Sequence, residues 1–184
     1  MPFSYYDRLS PGRKKVYRKS DEIRRIEMPA IAALMPLASA IETPLAQGDR
    51  GASQRACQAL VDAIDAQLRL PPIRLRVLAR RPSNSYGELH GLYEPRELDE
   101  YARGEHAVIT VWMRTAQKEQ IVKFRTFLRT VVHEVVHHLD YEHYKLAETF
   151  HTEGFYARES ALMRELLGES LVAPALPSGR TVGR

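Results

Sequence analysis

The chain has 184 residues, of which 44% are hydrophobic and 27% charged, with a single cysteine. This composition suits an ordinary globular domain; it excludes wholesale disorder, a disulfide framework and any cysteine-based zinc site. The net charge of +4 is uneven, because eight Lys/Arg between Arg8 and Arg25 face only Asp21 and Glu22, so the basicity belongs to an N-terminal arm.

Ser10-Pro11 reads as a helix start, with serine at the N-cap and proline in the first turn. The helix is expected to run to about Glu27, with a thin apolar stripe of Val16, Ile23 and Ile26. So thin a stripe predicts weak docking or a free basic arm. The longest apolar stretch, Met28 to Ile41, is broken by Pro29 and Pro36. It falls short of the roughly 20 residues of a membrane span, so no membrane partner is expected. The first residues lack the apolar core of a signal peptide, and a cytoplasmic location is the expectation. A short helix and a loop are expected over 29–48.

From about Ala52 to Leu70, Ala56, Leu60, Ile64 and Leu68 recur at a spacing of four, an amphipathic helix stopped by Pro71-Pro72. Ile73, Leu75, Val77 and Ala79 then alternate with Arg74, Arg76 and their successors, as in a half-buried strand. A second strand is expected over Tyr86–Tyr93, with Gly87 and Gly91 permitting a bulge or close backbone approach, and a third over Ala107–Met113. Glu119–Tyr144 reads as one long helix with a wide apolar face, and Phe155–Leu167 as a last helix ended by Gly168. Strands grouped before helices favour an α+β fold. The expected organisation is a basic helix and linker over 1–50, a main domain over 51–170 and a disordered tail over 171–184.

Five of the seven histidines fall between His133 and His151. His133-Glu134-Val135-Val136-His137 is an HExxH sequence inside the long helix. Residues four apart lie one turn above each other, so both imidazoles can reach one ion. Glu134 stands roughly 100° around the helix from His133, beside the ion, where it can act as a base on a water molecule. A catalytic zinc usually has three protein ligands, so a third is sought. His138, about 100° around the helix from His137, is expected to be solvent-exposed or packed on a side face. His143 has the metzincin spacing, but Asp140 stands where that pattern has its turning glycine. His151 follows a loop of roughly seven residues and precedes the last helix, so an antiparallel return can present it to the ion. Asp140 stays on the ligand face and is a candidate acceptor for an imidazole N–H. Peptide deformylases also use HExxH, but with a cysteine on an upstream strand; Cys57 lies on a predicted helix and does not suit that pattern.

HEVVHHLD followed by HTEGFYARESALMREL resembles the SprT-like (Spartan-type) zinc metallopeptidases, in which HExxH precedes an HGxxF that opens a helix. His151 and Phe155 match the second motif, with Thr152 in place of its glycine. GELHGLYEP and AVITVWM are similar to the family's strand pair, and the resemblance covers about residues 85–167. It implies a zincin-like minimal metalloprotease domain: a small sheet, three-stranded or larger, packed on the HExxH helix and preceded by N-terminal helices. It also implies one Zn²⁺ per chain on His133, His137 and His151, and a protein or peptide substrate. Glu134 would then be the general base, with Tyr156 or Tyr141 as oxyanion candidates. Substrate would add as a β-strand along a sheet edge, for which the 107–113 strand is the expected edge and Trp112 a candidate subsite residue. The non-enzymatic alternative is a nucleic-acid or partner-binding protein with a structural or vestigial zinc site, contacting phosphate through Arg8–Arg25. Oligomeric state cannot be read from these features.

Overall fold

The computed structural model describes residues 3–84, 87–96 and 106–169. It is an α+β fold in which helices pack with a small three-stranded mixed sheet. In chain order the elements are α1 (Pro11–Glu22), α2 (Ile31–Ser39), α3 (Glu42–Ala46), α4 (Arg50–Leu68), β1 (Arg74–Arg80), β2 (Ser83–Asn84), β3 (Gly87–Glu88), β4 (Gly91–Glu94), β5 (Val108–Arg114), α5 (Phe124–Glu142) and α6 (Glu153–Leu166). Among the described residues, no helix is long and apolar enough to cross a membrane. The tail over 171–184 lies outside the described residues.

The Ser10 hydroxyl caps α1 by accepting from the Arg13 N–H, but the helix stops at Glu22, short of the expected Glu27. Asp49 caps α4, whose buried face is Ser53, Cys57, Leu60, Val61 and Ile64. That helix ends through Arg69 in the left-handed region at φ 55°, two residues before the prolines. Leu75 and Val77 of β1 turn inward while Arg74 and Arg76 face solvent, as alternation demands.

The sheet order is β1-β5-β4, with β1 parallel and β4 antiparallel to β5. The 107–113 strand expected at an edge is therefore central. Its residues Ile109–Met113 are buried on both faces, and Trp112 is a core residue. The edge strands are β1 and β4. The outer edge of β1 is closed by side chains of α4: Gln58 Oε1 accepts from the Leu75 N–H at 2.7 Å and Gln58 Nε2 donates to the Ile73 carbonyl at 2.8 Å. Gln54 Oε1 accepts from the Val77 N–H at 3.1 Å. Among the described residues no strand pairs with the outer edge of β4. The expected second strand is split, since β3 pairs with β2 in a separate hairpin and only β4 joins the main sheet.

The N-terminal residues do not stand apart. Ile26, Leu34, Ala38, Ile41 and Leu45 belong to the same buried cluster as Leu60, Ile109, Val132 and Leu162. A division at residue 50 would pass through this core. Nor is α1 weakly docked: Tyr17 and Ser20 are buried, and a Cβ on Gly154 of α6 would lie 2.7 Å from Asp21 Cα. Glycine at 154 is what lets α1 and the start of α6 touch through their backbones.

Candidate metal centre

Helix α5 buries Phe127, Leu128, Val131, Val132, Val135, Val136 and Leu139, an i, i+3/i+4 face wide enough to cover the sheet. His133 and His137 lie at the border of that face, one turn apart. The helix continues regularly through Asp140 to Glu142, and the chain reverses beyond it, with Lys145 at φ 51°. The returning segment packs through Phe150 against Tyr17 of α1, and Thr152 caps α6 by accepting from the Phe155 N–H at 2.9 Å. His151 is thereby set over α5.

Three histidines meet. Nε2 of His133 lies 3.0 Å from Nε2 of His151 and 3.2 Å from Nε2 of His137, and the His137–His151 separation is 3.1 Å. All three rings rest on buried Phe155, at centroid distances of 4.7 to 5.0 Å. These residues are close enough to hold a metal ion. His143, at the end of α5 against the Tyr144 ring, is not part of the cluster.

The outer nitrogens fix the tautomers. His133 Nδ1 is 2.8 Å from Glu159 Oε2, and a carboxylate only accepts, so Nδ1 carries the proton. His137 Nδ1 is 2.8 Å from Thr149 Oγ1, whose own hydrogen goes to Asp140 Oδ2 at 2.7 Å. The threonine oxygen therefore accepts from His137 Nδ1–H. For both residues the lone pair is on Nε2, and both lone pairs point at the common centre. Converging lone pairs about 3 Å apart repel unless a cation lies between them, so the arrangement suits a metal ion. Burial pushes His137 down to about 3 and lowers His151, keeping both neutral as ligands must be.

Glu134 is buried beside the cluster and helps to line the same cleft. A Cβ on Gly91 would come within 2.8 Å of Glu134 Cγ, so only glycine lets β4 lie directly on this side chain. Burial pushes the Glu134 carboxyl up to about 7; His133 pulls it down and Glu159 pushes it further up. The cleft, about 630 Å³, is bounded by α5, by Leu89, His90 and Gly91 before and at the start of β4, and by Tyr156 and Glu159 of α6. Tyr156 is 43% exposed and stacks on His151 at 5.8 Å, on the cleft rim. Tyr141 stacks instead on Tyr93.

Asp140 does not take an imidazole proton directly. It reaches His137 through Thr149, and its other oxygen accepts from Arg158 Nη2 at 2.6 Å. Arg158, completely buried, also donates to the carbonyls of Ser20 and Ile23. Of the two expectations for His138 the packed one holds: it is buried and lies 3.4 Å from both the Tyr93 hydroxyl and Asp65 Oδ1. Thr149, Arg158 and Glu159 were not singled out by sequence reasoning, whereas the close backbone approach expected at Gly91 is the one found against Glu134. Glu159 carried one usable signal, standing one turn after Phe155 and thus on the ligand-facing side of α6.

Comparison of the chain with protein-family models, curated proteins and solved structures finds no match.

Proposed function

We propose that the chain is a zinc-dependent peptidase of SprT-like type. The observation that carries this reading is the convergence of three imidazole Nε2 atoms, two of them with their tautomers set, next to a buried glutamate in an open cleft. Tetrahedral nitrogen ligands about 2.0–2.1 Å from zinc stand about 3.3 Å apart, close to the separations of 3.0 to 3.2 Å here. Zinc would supply Lewis acidity, lowering the pKa of water and polarising the scissile carbonyl. Glu134 takes the proton of the attacking water and returns it to the leaving amine. The Gly91 backbone packs closely against that side chain. An extended peptide pairing with the outer edge of β4 then lies over Glu134, an edge that replaces the 107–113 strand in this role. Tyr156, on the rim beside His151, is placed to donate to a developing oxyanion.

The alternative, phosphate binding through Arg8–Arg25, has less support. Arg13 pairs with Glu148, Lys19 donates to the Tyr144 carbonyl, and Arg24 and Arg25 pair with Glu153 and Glu165. Arg18 donates to the Tyr6 hydroxyl and Lys14 lies over the Tyr6 ring, so six of the eight cations in this arm are directed at the protein itself.

Metal analysis of the purified chain together with hydrolysis of unfolded casein tests the reading. About one zinc per chain is expected for wild type and for Glu134→Gln. Turnover should fall by about 10²–10⁴-fold in the variant. Zinc-loaded wild type without hydrolysis, or a variant as active as wild type, would overturn it.

A further inference from the structure

Arg129 lies on α5 four residues before His133, about 6 Å along the axis at 1.5 Å per residue. It lines the cleft, and its side chain is half exposed. Nη1 donates to Glu159 Oε1 at 2.7 Å, and Glu159 is buried with its other oxygen taken by His133 Nδ1–H. Both carboxylate oxygens are therefore committed. Glu159 holds one side of the guanidinium plane in place. Among the described residues, the remaining guanidinium nitrogens have no protein partner. A planar fork fixed at one corner and open to a cleft is pre-set for a second carboxylate.

We infer that Arg129 forms a subsite for a substrate carboxylate, so that the chain prefers acidic peptides; this rests on the peptidase reading. An extended peptide advances about 3.3 Å per residue. A side chain one or two residues from the carbonyl at the three-histidine cluster falls over a group about 6 Å away. A lysine or arginine there would meet the guanidinium and be rejected. The carboxylate comes either from an aspartate or glutamate side chain or from the C-terminus of the substrate.

The test separates binding from turnover by using zinc-loaded Glu134→Gln protein. Fluorescent peptides differing at one position (Glu, Gln or Lys) are titrated by anisotropy, and the Gln peptide is used with a free and with an amidated C-terminus. The Glu peptide is expected to bind about ten-fold or more tighter than the Gln peptide, and the Lys peptide weakest. Preference for the free C-terminus without preference for Glu assigns the carboxylate to the chain end. Adding Arg129→Gln should bring the Glu/Gln ratio to about one, and adding Arg129→Lys should lower it while keeping the charge. Peptides bound alike irrespective of charge, no peptide binding, or a ratio unchanged by Arg129→Gln overturns the inference. If the preference holds but wild type does not cleave these peptides, the subsite stands and the peptidase reading falls.

Discussion

Arg158 Nη2 lies 2.6 Å from Asp140 Oδ1, and both side chains are completely buried. The same guanidinium holds the Ser20 and Ile23 carbonyls at the end of α1, while Asp140 holds Thr149 and, through it, His137. One buried ion pair thus ties the first helix of the fold to a histidine of the cluster.

Removing one member of such a pair leaves an uncompensated charge in the interior. Arg158→Met is expected to cost about 3–5 kcal/mol of stability, and the double variant Arg158→Met/Asp140→Leu to cost less than the single one. Urea denaturation of the metal-free proteins measures both. A single variant as stable as wild type would show that the pair does not hold α1 in place.

The ligand assignment separates three residues. His151→Ala should weaken zinc binding by several orders of magnitude. Thr149→Val, which keeps the shape but removes the acceptor for His137 Nδ1–H, should weaken it about 10–100-fold. His143→Ala should leave it nearly unchanged. Competition with a chelating dye ranks the three, and equal losses at 143 and 151 would contradict the assignment.

The N-terminal segment is expected to be indispensable. A chain starting at residue 52 loses Ile26, Leu34, Ile41 and Leu45 from the core. At about 1.5–3 kcal/mol for each fully buried side chain, that loss rivals the entire net stability of a typical domain. The truncated chain should be insoluble or lack cooperative unfolding. A soluble, zinc-binding product would show that residues 52–169 hold the site alone.

Cys57 is buried on α4, and burial pushes its thiol up to about 12. The unfolded thiol ionises near pH 8.5. Between there and pH 12 the folded chain keeps a proton that the unfolded chain gives up, so stability falls as pH rises through this window. Cys57→Ala should flatten the alkaline limb of a stability-against-pH curve, although it also leaves a small cavity at every pH. In the wild type, alkylation by iodoacetamide should track global unfolding. Rapid labelling of the native chain would show that the thiol is accessible.

What the sequence reveals most directly is whatever local spacing encodes. The i, i+4 pair His133 and His137 on an amphipathic helix needed only the helical repeat, and Ser10 before Pro11 only capping chemistry. His151 required the resemblance together with a loop long enough to reverse the chain. The place of β5 was legible in principle, because the run from Val108 to Met113 does not alternate as a solvent-facing strand would. The outer partners were hidden for a physical reason. Arg158 and Glu159 look like ordinary polar residues of a helix surface, and each becomes buried only through partners 18 to 138 positions away in the chain. Nothing in the neighbouring sequence distinguishes a solvated arginine from one that spans two helices.

The hydrogen-bond path from α1 through Arg158 and Asp140 to His137 ties the ligand cluster to the packing of distant parts of the chain. No short fragment contains the whole path, since Ser20 and Arg158 come together across most of the described chain. Capturing the ion is then thermodynamically coupled to global folding and not to the HExxH helix alone. Half-folded chains would lack the preorganised cluster and should compete poorly for scarce metal. Chelation should correspondingly lower the melting temperature of the whole molecule and not merely loosen one loop.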